Sequence, residues 1–138
     1  MYDNLQNFKV REFGSWAIDM DYELLVRADM LRNLLGTPMI ISMPEHGGLG
    51  RRGPGRSFHC VDTHGTVMAM DFYLTAELPP EAVRQSAVIA GLGGIGVYFD
   101  WRTQPIGYHI DVGPRGRSWS RVDGQYMVFS EGVRRVLG

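Results

Sequence analysis

Two short segments of the chain gather the side-chain types that bind divalent metals. Residues 57–71 carry His59, His64 and Asp71, and residues 107–111 carry His109 and Asp111. A hydrolytic zinc takes three protein ligands from His, Asp or Glu and keeps a fourth position for water. One histidine and Asp71 from the first segment, with His109 from the second, make a sufficient set. Successive side chains of a strand alternate between its faces, so His109 and Asp111 share a face. The Asp111 carboxylate can therefore orient the imidazole, meet the metal's water, or do both. Asp71 shares a face with the small Ala69 in the same way. In the first segment either His59 or His64 is the ligand, and the other is a bystander or faces substrate. Cys60 adjoins a candidate ligand, but strand alternation turns it away from His59 and leaves it a small buried residue.

Two other motifs need weighing. Arg51, Arg52 and Arg56 lie in a stretch rich in glycine and proline, residues 45–56. Such a stretch is ordinarily a solvated surface. Its functional reading is recognition of a carboxylate by a forked guanidinium, which suits a peptide with a free C-terminus. Gly91-Leu92-Gly93-Gly94-Ile95-Gly96 has the letters of a dinucleotide fingerprint. That motif works only where a strand enters the glycines and a helix leaves them. Here a helical pattern enters and a strand pattern leaves, so the glycines read as a helix stop and a tight turn.

The elements that must position these groups follow from periodicity. Asp19 or Asp21 caps a helix with apolar residues Leu24, Leu25, Ala28, Leu31, Leu34 and Leu35, stopped by Gly36. Residues 1–18 read as an irregular or short-strand lead-in, and 38–42 as a short buried strand. Residues 45–56 are expected to form a mobile loop beside the site. A strand over 66–74 presents Asp71. Pro79 and Pro80 open a second helix that Gly91 ends. Strands are expected over 97–99, 108–112 and 126–129, with a last helical turn from Ser130 through Leu137.

With 138 residues and a formal net charge of −1, the chain is expected to be one domain able to bury a core without metal support. That charge argues against nucleic-acid or anionic-membrane partners. Cys60 is the one cysteine, so no internal disulfide forms. The first residues lack a signal-peptide pattern, and synthesis and folding in a reducing cytoplasm are expected. No apolar run reaches the roughly 20 residues that span a bilayer, so membrane insertion is not expected.

Ser57-Phe58-His59, Ala69-Met70-Asp71 and His109-Ile110-Asp111 resemble the Ser-x-His, Gly-x-Ala-x-Asp and His-x-Asp motifs of the zinc D-Ala-D-Ala carboxypeptidases and L-Ala-D-Glu endopeptidases, relatives of the hedgehog signalling domain. Gly94 through Tyr98, followed by residues 109–114 and Trp119, is similar to their small phage-associated branch. The opening residues 7–13 and the 31–38 helix end fit as well, so the resemblance covers most of the chain. It implies an α+β domain over residues 1–138, with a central antiparallel sheet carrying Zn2+ on one face and helices flanking it. The family's usual spacing selects His64 as the first ligand. The Ser-x-His context selects His59 with a five-residue insertion, and His59, Asp71 and His109 is the favoured set. Better-known members place an acidic base three residues before the last histidine, where this chain has Ile106. The base then falls to Asp111 or Asp100, with His64 steadying the oxyanion where it is not a ligand. Arg52, Arg56 and Ser57 are expected at the substrate. The implied activity is hydrolysis of a peptide bond in peptidoglycan stem peptides, as an endolysin or a wall-penetrating virion component of a bacteriophage. The competing expectation is a zinc-containing binding or virion module without turnover.

Overall fold

Helix α1, Tyr22–Leu35, begins where Asp21 leaves helical geometry and accepts a hydrogen bond from the Leu24 amide at 3.1 Å. A cap of this kind contributes ~1 kcal/mol. Gly36, at φ 67°, closes it in the left-handed conformation that glycine tolerates. The computed structural model describes residues 1–42 and 47–138, so Glu45 and His46 of the expected glycine-rich loop lie outside the described residues. The lead-in is 3-10 helical over Tyr2–Asn4 and Val10–Asp19 and is not a strand. It is drawn onto the core by the buried Phe8 and Phe13. The backbone amides of Gln6 and Asn7 also donate to the Asp29 carboxylate on α1, at 3.0 and 2.8 Å.

After β1, Met39–Ile41, the described residues from Gly47 on lead through irregular structure to the one-turn helix α2, Val61–His64, and then strand β2, Ala69–Leu74. Helix α3, Pro80–Ile89, starts with proline in its first turn, as expected. The strands β3, Gly94–Tyr98, β4, Gly107–Asp111, β5, Arg117–Val122, and β6, Gln125–Met127, follow, and α4, Phe129–Leu137, ends the chain. The six strands form one sheet in the order β1-β2-β4-β3-β5-β6. The domain is α+β, as the sequence implies. The sheet is mixed and not wholly antiparallel as expected, because β5 lies beside β3 and pairs with it in parallel, whereas the other pairs are antiparallel.

One face of this sheet is the core. Met70 and Phe72, Ile95 and Val97, and Tyr108 and Ile110 pack there with Leu24, Leu25 and Leu31 of α1, Val83 of α3 and Phe129 of α4. Each fully buried residue of this size contributes ~1.5–3 kcal/mol. The opposite face carries Asp71, His109, Asp111, Tyr98, Arg117, Trp119 and Arg121, as the register of the strands requires. Among the described residues no helix is long and apolar enough to cross a membrane.

The glycine run divides differently from the expected turn. Gly91, at φ 85°, does end α3, and a helix enters where a dinucleotide motif needs a strand. Gly94 and Gly96, however, lie inside β3 on the cleft face, so the strand starts three residues before Val97. A Cβ on Gly94 would collide with the Asp111 carboxylate, and one on Gly96 with the Trp119 indole. The absent side chains make room for the site. Strand β5 was not expected, because its alternating Arg117, Trp119 and Arg121 with Ser118 and Ser120 lacks the β-branched run that marks a strand.

Candidate metal centre

Pairing of β2 with β4 sets Asp71 directly opposite His109 and Ala69 opposite Asp111. All four lie on one face, and Ala69 leaves the Asp111 carboxylate unobstructed. His59 arrives from the loop before α2. That loop is stitched to its surroundings by Arg51 N–H to His59 O at 2.9 Å and Met68 N–H to Phe58 O at 2.9 Å. The His59 amide donates to Ser57 Oγ at 3.2 Å, which gives the Ser-x-His spacing a local structural reason. His59, Asp71 and His109 each offer a ligand atom, all within 4.8 Å of one another. His59 and His109 are buried, and their rings meet edge to face at 5.2 Å.

The outer nitrogen of each imidazole is fixed by an acceptor. His59 Nδ1 lies 2.5 Å from the Leu49 carbonyl, so it carries the hydrogen and turns the Nε2 lone pair toward Asp71 Oδ1, 3.2 Å away. His109 Nε2 lies 2.7 Å from Asp111 Oδ2, so this ring presents Nδ1, 3.1 Å from the same Asp71 oxygen. Acceptors behind both imidazoles are the arrangement that orients metal-binding histidines. A tetrahedral ion with bonds of ~2.0–2.1 Å sets its ligands ~3.3 Å apart, and the two separations from Asp71 Oδ1 fit that edge. The donor set of two imidazoles and one carboxylate suits a divalent transition-metal ion.

The electrostatics point the same way. Burial opposes a charge on His109, but the hydrogen bonds its ring donates to Asp111 and Asp71, with the charges of both, outweigh it and raise the imidazole to about 9. Burial likewise opposes ionisation of Asp71, and the His109 and His59 contacts overcome it to hold the carboxyl far below its ordinary range. Two carboxylates converging on one ring select for positive charge, whether a proton or a divalent cation.

Asp111 is fully buried, and both its oxygens are engaged, Oδ2 by His109 and Oδ1 by the Gly113 amide at 3.0 Å and by Arg117 Nη2. It stands on the far side of the imidazole from Asp71, the position of an orienting group. Asp100 does not reach the cleft. Its carboxylate takes Arg121 Nε at 3.0 and 3.1 Å and the Gly124 amide at 2.8 Å, so it ties the end of β3 to the β5–β6 turn. His64 lies outside the ligand group, stacked on Phe58 at 4.8 Å with Nε2 3.3 Å from the Arg56 carbonyl. His59 occupies the place between the two candidates. Arg52 is likewise turned away from the cleft, pairing with Asp62 at 3.2 Å and Asp19 at 3.6 Å beside the Trp16 ring. Arg56 and Ser57 do line it, together with Arg51.

The group forms the floor of a cleft of about 1080 Å³. Three of its components escaped the reading of the sequence. Leu49 is fully buried within the glycine-rich loop and contributes a backbone carbonyl, which no side-chain pattern announces. Arg117 clamps Asp111 and lies 4.9 Å from the Phe58 ring. Tyr98 lines the cleft beside Trp119, and burial, then the charge of Asp71, keep its phenol protonated well above the ordinary range against the opposing pull of the Trp119 N–H. Comparison with protein-family models, with curated proteins and with solved structures found no match to the chain.

Proposed function

We propose that the chain is a zinc-dependent peptidase that hydrolyses a peptide bond in the stem peptides of peptidoglycan, in a phage lysis or wall-penetration role. The observation that carries this reading is the buried His59, Asp71 and His109 group on the floor of an open cleft, with both imidazoles oriented from behind. Zinc held by these three residues supplies Lewis acidity to a water and to a substrate carbonyl. The chain's own residues do the rest. Leu49 O and Asp111 hold the rings in the binding tautomer, and Arg117 holds Asp111. Exposed Arg56 and Arg102, which also line the cleft, can pair with the free carboxylates of a stem peptide. Purified, zinc-loaded protein incubated with stem peptides and read by mass spectrometry should release a single new pair of fragments. His109→Ala protein should release none.

A second reading has its own support. Among the described residues, Asp71 and Asp111 are the carboxylates that line the cleft, and both are committed to the histidines. A zinc-containing recognition module without a general base would look the same. Tight binding of stem peptides by zinc-loaded protein without any cleavage would establish it.

A further inference from the structure

One buried donor beside the metal group has nothing to donate to. Trp119 Nε1 lacks a hydrogen-bond partner among the described residues, a state that costs ~1–3 kcal/mol. Buried orphans of this kind call for an explanation, and a catalytic role is one. The indole lies over Gly96, where no side chain keeps it away, and its ring centre is 5.0 Å from that of His109. Asp71, His109, Gly96 and Trp119 thus form one row across β2, β4, β3 and β5.

Tyr98 stands two residues along β3 on the same face and lines the same cleft. Its ring is fixed by stacking on Trp101 at 6.0 Å and by the Arg121 guanidinium at 4.5 Å. Tyr98 and the unpartnered Trp119 N–H thus lie on the same face of neighbouring strands and open on one cleft. A phenol in the cleft wall, beside an indole N–H without an acceptor, is a donor within reach of an oxygen that enters the cleft. An indole N–H that donates to a phenol oxygen polarises the phenol and strengthens it as a donor in turn.

Resting on the peptidase reading, we propose that Tyr98 is a catalytic residue whose hydroxyl donates a hydrogen bond to the oxygen of the peptide carbonyl under attack, and that Trp119 is a positioning residue whose N–H, without an acceptor in the free protein, donates to the Tyr98 oxygen in the substrate complex. The pair takes the role expected of His64, which stacks on Phe58 and does not line the cleft. Donors aimed where negative charge develops are worth on the order of 10²–10³ in turnover each.

The test uses full-length, zinc-loaded protein. Tyr98→Phe should keep metal content and melting temperature and lose on the order of 10²-fold in kcat with KM little changed. Trp119→Phe should lose less, because it removes only the group behind the donor. An independent readout is the indole ¹⁵N–¹H resonance of Trp119, assigned by its disappearance in Trp119→Phe. A phosphinate dipeptide, which mimics the tetrahedral oxyanion, should move that resonance in the wild type and not in Tyr98→Phe. Wild-type kcat in Tyr98→Phe, or a resonance indifferent to the phosphinate, overturns the assignment. If the wild type cleaves no stem peptide, the peptidase reading fails by itself. The resonance then decides alone whether Tyr98 and Trp119 receive an acceptor oxygen.

Discussion

Asp111→Asn separates the two roles that a carboxylate beside His109 can play. The substitution keeps the shape of a fully buried side chain whose two oxygens accept from His109 Nε2, Gly113 N–H and Arg117. An amide has one acceptor oxygen and one donor nitrogen. If the nitrogen faces His109, it meets another donor unless the ring changes tautomer, and the new tautomer points Nδ1–H at Asp71 and at the metal position. If it faces Gly113 and Arg117, two donors there lose their acceptor. Either way at least one hydrogen bond involving a charged group is lost, ~1.5–3 kcal/mol. Arg117, with 34% of its side chain exposed, recovers part of its share from water. The expected result is a 10- to 100-fold loss of zinc affinity, the usual effect of removing the group behind a metal-bound histidine. Competition against a chromophoric chelator measures it. At saturating zinc, most of the peptide turnover should return, because Asp111 acts through His109 and not on the substrate. Wild-type zinc affinity in the variant would refute the tautomer argument. A kcat loss of about 10²–10⁴-fold that excess zinc does not repair would restore Asp111 as the general base.

His59→Ala and His109→Ala should each abolish stoichiometric zinc by elemental analysis, whereas His64→Ala should retain it, since His64 stacks on Phe58 outside the ligand group. Gly94→Ala should lower stability by ~1–3 kcal/mol in urea titrations, the cost of overpacking, because its Cβ runs into the Asp111 carboxylate; an unchanged midpoint would mean that β3 can retreat from β4. Asp100→Asn should cost ~1–3 kcal/mol at pH 7 through lost bonds to Arg121 and the Gly124 amide. Burial tends to raise the Asp100 carboxyl, but these bonds lower it below its ordinary 3.8, so its contribution is full above that value and is lost as pH falls through the lower folded one. The gap between variant and wild type should therefore narrow in acid, and a gap that is the same at pH 3 and pH 7 would exclude the charge as its source.

The helices were legible because their signals are local. Asp21, the apolar spacing of Leu24 through Leu31 and Gly36 specify α1 without reference to the rest of the chain, and Pro80 does the same for the start of α3. Strands β2 and β4 were legible from alternation, and alternation alone placed His109 and Asp111 on one face. The elements that failed depend on partners. The lead-in of residues 1–18 is tied to α1 because Asp29, more than twenty positions away, collects the amides of Gln6 and Asn7 between its two 3-10 stretches. Strand β5 is polar on both faces near its start and is a strand because β3 pairs with it.

The same distinction explains the histidines. Side-chain spacing made His59 and His64 equal candidates, and nothing in the sequence between them broke the tie by physics. What separates them is the environment of the second ring nitrogen. His59 Nδ1 finds the carbonyl of Leu49, held in place by a fully buried side chain in a loop that reads as solvated, while His64 Nε2 finds only the Arg56 carbonyl at the edge of the domain. The opposite nitrogen of a metal-bound histidine is almost always held by an acceptor, and for His59 the Leu49 carbonyl supplies one while its other nitrogen faces Asp71. Glycine works in the opposite way in β3. Gly94 and Gly96 bear no functional atom, yet each yields the space that an acid or an indole occupies beside His109. A reading that looks only for reactive side chains overlooks both kinds of contribution. The first becomes visible when each imidazole is asked where its other nitrogen points, and the second when each strand glycine is asked what lies where its Cβ would be.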